Sequence, residues 1–332
     1  MVKRMILAVL ACFGAIAIWL IWPASVDHAA VETTRQTYAK WREVAQGDLG
    51  ALAAQIAKDE AQYADLRPSA AARVVWASDE ATRTTVSIVY LHGFSASSME
   101  IDPVVDRVAA QIGANVFYPR FAGHGRSGDA LGAARFETWY ADAEEAIALA
   151  AQLGERVIVI ATSNGGALAH MVSQLSSLRE KMAGLILVSP NFAVNNPMAD
   201  VLAWPKARVW VPWIMGRERS FEPRGPLHAE YWTTRYGTAA VVEVVKTTKA
   251  AQAMPRKAGL PTLIIGSSQD KIVRADLAKK IGTEIGATWV EVPLKGAVDP
   301  DAHVVMGDSV SPQNTDWGVA EITAFIAKDI KR

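Results

Sequence analysis

The sequence predicts an α/β fold built on a mostly parallel central sheet with helices on both faces, and three observations predict it. From about residue 73 onward, short β-branched runs alternate with amphipathic helical stretches. Those runs are apolar along most of their length, as strands covered on both faces require, rather than alternating as a half-wet sheet would. The chain is also long enough: 332 residues, 51% hydrophobic and 20% charged, can bury a sizeable core and exclude wholesale disorder.

Strands are predicted at 73–77, 84–91, 114–118, 156–162, 184–189, 261–266 and 287–292. Helices are predicted at 96–111, 136–153, 165–178, 274–285 and 315–331. One interval breaks this rhythm. Residues 191–254 are far more than a crossover needs, and they are rich in Trp and Pro, so they read as a cap inserted over the strand ends. The core is then 71–190 plus 255–332. Ahead of it, 25–70 carries a helical pattern at Tyr38, Trp41, Val44, Leu49, Leu52 and Ile56, with a break suggested by Gly47 and Gly50 and an exit at Pro68. This linker reads as a spacer packed on the domain, and an arm lying on a membrane surface is the alternative.

Residues 5–22 carry no charge and follow Lys3 and Arg4. A helix of that length is about 27 Å long, close to the ~30 Å of a hydrocarbon core. Trp19 and Trp22 sit at its far end, Pro23 can end it, and no Lys or Arg follows until Arg35. The expectation is therefore a transmembrane anchor over 1–24, with the rest of the chain on the extracytoplasmic side. A cleaved signal and a lipoprotein box at Val9-Leu10-Ala11-Cys12 are the competing readings, and the long apolar run argues against both.

Composition excludes other classes. Thirty-four Lys+Arg balance thirty-four Asp+Glu, so no basic footprint for nucleic acid exists. The single cysteine, Cys12, forms no intrachain disulfide and leaves a cysteine-based zinc site without ligands. No ligand cluster implies a metal or an organic cofactor.

The most informative stretch is Arg156-Val-Ile-Val-Ile-Ala-Thr-Ser163-Asn-Gly-Gly166. A buried strand runs into Ser163 and then a helix, with Ala161 and Gly165 as small residues two positions either side. Such a turn needs small neighbours and lifts the serine hydroxyl out of the sheet. A helix N-cap serine is the plainer alternative. Val86-Ser-Ile-Val-Tyr-Leu-His92-Gly93-Phe94 is a strand ending where a backbone N–H, that of Phe94, can pair with that of Asn164 around an oxyanion. Asp270 lies just past a later strand and His303 follows the last one, which gives the chain order Ser, Asp, His. Asp299 and Asp301 are rivals for the acid. His124 reads as a turn residue, His170 as packing, His228 as a cap residue, and Arg217-Glu-Arg219 as a solvated face.

From about residue 73 to the C-terminus the chain resembles the α/β-hydrolase superfamily, and within it the monoacylglycerol lipase, lysophospholipase and serine aminopeptidase-like group. The landmarks are His92-Gly93-Phe94, Phe121-Ala-Gly-His-Gly-Arg-Ser127, Ser163-Asn-Gly-Gly166, Asp270-Lys-Ile-Val273 and His303. Departures are Ala161 for glycine, Asn164 where Met or Gln is common, and Asp-Ala before His303 where glycine is frequent. The resemblance implies the α/β-hydrolase fold, a cap after the sixth strand, and cleavage of esters or amides.

The expectation is a membrane-anchored serine hydrolase of carboxylic esters, with lysophospholipid, monoacylglycerol or short-chain esters as substrates. Ser163, His303 and Asp270 form the triad, Phe94 and Asn164 the oxyanion hole, and Trp204, Trp210 and Trp213 of the cap meet the acyl chain. Two alternatives stay open. An aminopeptidase would need a cap acid, for which Glu218, Glu222 and Glu230 are available, and a non-catalytic binding protein would keep the fold alone.

Overall fold

The computed structural model describes residues 27–330 except Ala297. The segment 5–22, and with it the anchor expected over 1–24, lies outside the described residues. Among those described, no helix is long and apolar enough to cross a membrane.

All seven predicted strands form, with ends shifted by at most two residues. They are β1 (Arg73–Val75), β2 (Thr84–Leu91), β3 (Asn115–Tyr118), β4 (Gly154–Thr162), β5 (Met182–Val188), β8 (Thr262–Gly266) and β9 (Thr288–Glu291). Their order across the sheet is β1-β3-β2-β4-β5-β8-β9, parallel throughout except for β1, which runs antiparallel to β3. Side chains of a strand alternate between its faces. Val89 and Leu91 of β2 accordingly join one buried cluster with Phe117 and Val159, while Ile88 and Tyr90 join the cluster on the other face with Val116 and Ile158. Burial on both faces is why these strands read as continuous apolar runs.

The helix expected at 96–111 starts later, at Val104, and ends at Ile112. Pro103 is its N-cap, the position where a ring without an N–H costs nothing. Residues 96–103 turn instead. The expected helix at 165–178 splits into Ser163–Ser173 and Ser176–Arg179.

The 25–70 segment forms two helices, His28–Gly47 and Leu49–Glu60, separated at Asp48, whose carboxylate accepts the N–H of Gly50 at 2.8 Å. Tyr38, Trp41, Leu52 and Ile56 are buried in the same cluster as Phe117. An arm that buries this face in the domain has no apolar stripe left for a membrane surface. Glu60 fixes the far end. Its carboxylate accepts Arg120 Nε at 2.6 Å, a second Arg120 nitrogen at 2.7 Å and the N–H of Ala72 at 2.9 Å. Both side chains are buried, and the Arg120 guanidinium lies 4.7 Å over the Tyr63 ring.

Residues 191–254 carry two short strands that sequence periodicity did not show, β6 (Glu218–Ser220) and β7 (Arg235–Gly237), paired antiparallel. At three residues each, and mostly exposed, they bury no face that could leave an alternating pattern. A small apolar cluster of Ala199, Leu202, Ala207, Val211, Val242 and Val245 gives this region a core of its own.

Removing one partner of a buried ion pair strands the other charge. Glu60→Ala is therefore expected to destabilise the protein by about 3–5 kcal/mol in urea unfolding, whereas loss at an exposed pair such as Arg274–Asp276 is expected to leave the unfolding midpoint nearly unchanged.

Candidate active site

β4 ends at Thr162, and the next residue, Ser163, turns the chain into the helix Ser163–Ser173 with φ of 51°. This left-handed conformation is costly for a residue with a Cβ and is found where surrounding structure enforces it. The enforcing contact is at Gly165. A Cβ there would lie 2.2 Å from the carbonyl oxygen of Leu91 and 2.5 Å from that of His92. The helix start is thus pressed against the end of β2, and only glycine allows the approach. Ala161 pairs in register with Leu91 on the neighbouring strand. The small residue two positions after the serine is required by β2, while alanine two positions before it is accommodated.

Ser163, His303 and Asp270 come together from three distant segments. Ser163 Oγ lies 2.9 Å from His303 Nε2, and His303 Nδ1 lies 2.8 Å from Asp270 Oδ2. The other Asp270 oxygen accepts the N–H groups of Ile272 at 2.8 Å and Val273 at 2.9 Å, which orients the carboxylate. Asp299 does something else. Its carboxylate accepts the backbone N–H of Asp301 at 2.9 Å, His303 at 3.2 Å and Val304 at 2.9 Å, so it builds the loop on which His303 stands. From the 191–254 segment, Arg224 pairs with both Asp299 and Asp301. The alanine before His303 also has a physical reading: Ala302 has φ of 53°, the left-handed conformation that favours glycine.

Burial disfavours the charged form of His303, but the charge and hydrogen bond of Asp270, together with Glu100 and Asp301, outweigh it and hold the imidazole above its ordinary value of 6.5. Two other histidines are buried and kept neutral. His92 is pushed down to about 4, mainly by burial. Its Nε2 accepts the N–H of Phe121 at 3.3 Å, which leaves Nδ1 to donate to the Gly93 carbonyl at 2.9 Å. His124 packs edge-on against Phe94 and Trp139. Both shape the turn after β2 rather than move protons. His170 is buried beside Phe192.

Phe94 follows directly on that turn, and Asn164 opens the helix beside Ser163. The first N–H groups of a helix have no partner within it, so the Asn164 amide belongs to the set that can meet an anion.

A cavity of about 390 Å³ opens on Ser163 and His303. Its apolar wall comes from Phe94, Phe221, Trp232, Tyr236, Val241 and Val244, and Glu100, Glu222, Arg224 and His228 also reach it. The three tryptophans expected to meet an acyl chain do not line it. Trp204 is 63% exposed and Trp213 81% exposed, and the indole N–H of Trp210 donates to the Pro205 carbonyl at 3.0 Å. Trp204 precedes the helix Ala207–Met215, and for Trp210 and Trp213 the reason is the face that this helix buries. Ala207–Met215 turns Ala207 and Val211 inward onto Val242 and Val245, which leaves Trp213 and Ile214 outward. The residues that replace them sit around β6, β7 and the helices Pro226–Tyr231 and Ala239–Ala253. Aromatic identity marked Phe221, Trp232 and Tyr236, but no periodicity distinguished them from Trp204 or Trp213. Among the described residues, no group of His, Cys, Asp and Glu could hold a metal ion.

Comparison with known proteins follows the same line. The family described as serine aminopeptidase, S33, matches residues 82–294. No curated protein sequence matches the chain. Among solved structures, the fold is similar to that reported for the metagenome-derived lipolytic enzymes LipS and LipT, at 20% identity and a TM-score of 0.63, covering 79% of this chain and 99% of that one. It is similar also to a monoacylglycerol lipase of Paleococcus ferrophilus, at 15% identity and a TM-score of 0.55, covering 77% of this chain and 97% of that one. A monoglyceride lipase of Saccharomyces cerevisiae matches at 10% identity and a TM-score of 0.55, covering 79% of this chain and 92% of that one. At these identities the similarity is one of fold.

Two outcomes are expected from the geometry. A general base must be neutral to accept a proton, so kcat/KM should fall with decreasing pH along a limb centred above 6.5, the direction in which the His303 value is shifted. Gly165→Ala, which drives a methyl group into two β2 carbonyls, should abolish reaction of Ser163 with a fluorophosphonate probe even in protein that retains its helical circular dichroism.

Proposed function

The chain belongs to the serine aminopeptidase S33 family of α/β-hydrolases, and from that membership and the assembled site we propose that it is a membrane-anchored hydrolase of carboxylic esters with apolar acyl groups. The observation that carries the reading is the relay Ser163–His303–Asp270 at the floor of an apolar-walled cavity.

In this reading His303 removes the Ser163 proton as the hydroxyl attacks the ester carbonyl. Asp270 holds the Nδ1–H tautomer and stabilises the imidazolium that forms. The amides of Phe94 and Asn164 receive the charge developing on the carbonyl oxygen, an interaction worth about 10²–10³ in rate per donor. His303 then gives its proton to the leaving alcohol. Water, activated by the same imidazole, releases the acyl group from Ser163. The acyl chain lies against Phe221, Trp232, Tyr236 and Val244, where burial of apolar surface gives about 0.8 kcal/mol per methylene. The fold similarity to proteins described as lipolytic and as monoacylglycerol lipases supports an ester or lipid substrate.

The anchor is argued from the sequence of 1–24 alone, and with it the extracytoplasmic placement of the hydrolase. Washing of membranes carrying the full chain should leave it bound in high salt and release it with detergent.

An aminopeptidase is the second reading, and one observation favours it. Of the three cap acids available to hold a substrate amine, Glu222 reaches the cavity, while Glu218 is paired with Arg235. Rates on p-nitrophenyl esters of increasing chain length and on aminoacyl anilides separate the two. We expect esters to be turned over and anilides to be poor substrates, with Ser163→Ala lowering ester turnover by about 10⁴–10⁶. Turnover of anilides alone would replace the ester reading with the amide one.

A further inference from the structure

A second carboxylate stands at this site that the triad does not use. Glu100 is 2% exposed and lines the catalytic cavity. Its Oε2 accepts two hydrogen bonds, from the N–H of Gly93 at 2.7 Å and from the Tyr90 hydroxyl at 3.0 Å. The Tyr90 hydroxyl is in turn 2.9 Å from Thr162 Oγ1, one residue before the nucleophile. Behind it, Ser309 Oγ donates to the Glu100 carbonyl at 3.1 Å, which joins this turn to the segment following His303. A side-chain carbon placed on the Gly93 α-carbon would lie 2.6 Å from Glu100 Oε1 and 3.2 Å from Ser163 Cβ, so the carboxyl and the serine both pack against that face of the glycine.

Nothing in packing requires an acid here. A carboxylate in an apolar interior is costly unless its bonds do something an apolar side chain cannot. These bonds link the two segments whose amides must face one oxygen atom. The turn 93–94 after β2 is held at Gly93 N–H, and the elbow after β4 is held through Tyr90 and Thr162. We propose, resting on the hydrolase reading above, that Glu100 is a positioning residue: its carboxyl holds the turn carrying Phe94 and the elbow carrying Ser163 in one frame beside His303.

The charge of Glu100 acts on the same centre. Burial pushes its carboxyl up to about 7, against the opposing pull of the Gly93 N–H, the Tyr90 hydroxyl and His303. The groups that face it are Tyr90 from β2 and His303 from its loop, and those that face His303 are Asp270, Glu100 and Asp301, the last paired with Arg224. An ionised Glu100 favours the protonated imidazole, so removing its charge lowers the pH at which His303 becomes a base.

The test compares Glu100→Gln, Glu100→Ala and Tyr90→Phe with the parent protein, after circular dichroism and thermal unfolding have shown which variants fold. Each is read by kcat and KM on a p-nitrophenyl ester across pH and by the rate of phosphonylation with a fluorophosphonate. Glu100→Ala frees Gly93 N–H and should lower kcat about tenfold to a hundredfold, less than outright loss of an oxyanion donor, with KM within twofold of the parent. Glu100→Gln keeps an acceptor for Gly93 and Tyr90 and should recover most of that loss. Its acid limb should move to lower pH, which a purely structural role would not cause. Tyr90→Phe should lower kcat in the same direction and carries the test if the alanine variant does not fold. A folded Glu100→Ala protein with unchanged kcat, a defect confined to KM, or a glutamine variant with an unmoved acid limb would each overturn the proposal. If the parent labels with fluorophosphonate but hydrolyses no ester, the ester reading fails, and the labelling rates of the same variants still decide the role of Glu100.

Discussion

The structure depends on one close approach: the start of the helix Ser163–Ser173 against the last carbonyls of β2, possible only because Gly165 has no side chain. That contact holds Ser163 in a left-handed conformation and aims its hydroxyl away from the sheet, 2.9 Å from His303. It also brings the elbow against the turn that follows β2. The strain at Ser163 is paid for by the parallel sheet beneath, where β2 and β4 are buried on both faces and cannot shift to relieve it.

Around this contact the protein places its charges with different purposes. Asp270 is tied by two backbone amides and points at His303, so its orientation is set before substrate arrives. Asp299 and Asp301 lie close to His303 in sequence but are engaged with the backbone and with Arg224. Since Arg224 belongs to the 191–254 segment, the loop bearing the His303 imidazole and the region that walls the cavity are held by one cluster of charges. Glu100 stands between the turn at Gly93 and, through Tyr90, the elbow after Thr162.

Much of this was legible in the sequence because it rests on local rules. The inner strands, buried on both faces, announce themselves as apolar runs, and the half-buried edge strands β1 and β9 also form where the sequence placed them. The strand-serine-helix pattern with Gly165 located the elbow, and the order Ser163, Asp270, His303 selected three residues that the fold does bring within hydrogen-bonding reach. What escaped depends on pairings between distant segments. Trp204, Trp210 and Trp213 were conspicuous aromatic residues of the 191–254 segment, yet which side of Ala207–Met215 faces inward, and so where Trp210 and Trp213 point, is decided by Val211 meeting Val242 and Val245 some thirty residues later. Glu100 was invisible for a similar reason. It falls in a stretch whose periodicity suggested a helix, and its importance comes from Gly93 and Thr162, which approach it only once β2 and β4 are paired.

The central claim is that the fold activates one hydroxyl among the many in this chain. The most direct measurement is peptide mapping by mass spectrometry after brief incubation of the intact protein with a slowly deacylating ester. An activated Ser163 should carry the acyl adduct, at one equivalent per chain and not in a His303→Ala variant. Acylation spread over surface residues, or unchanged when His303 is removed, would contradict the account.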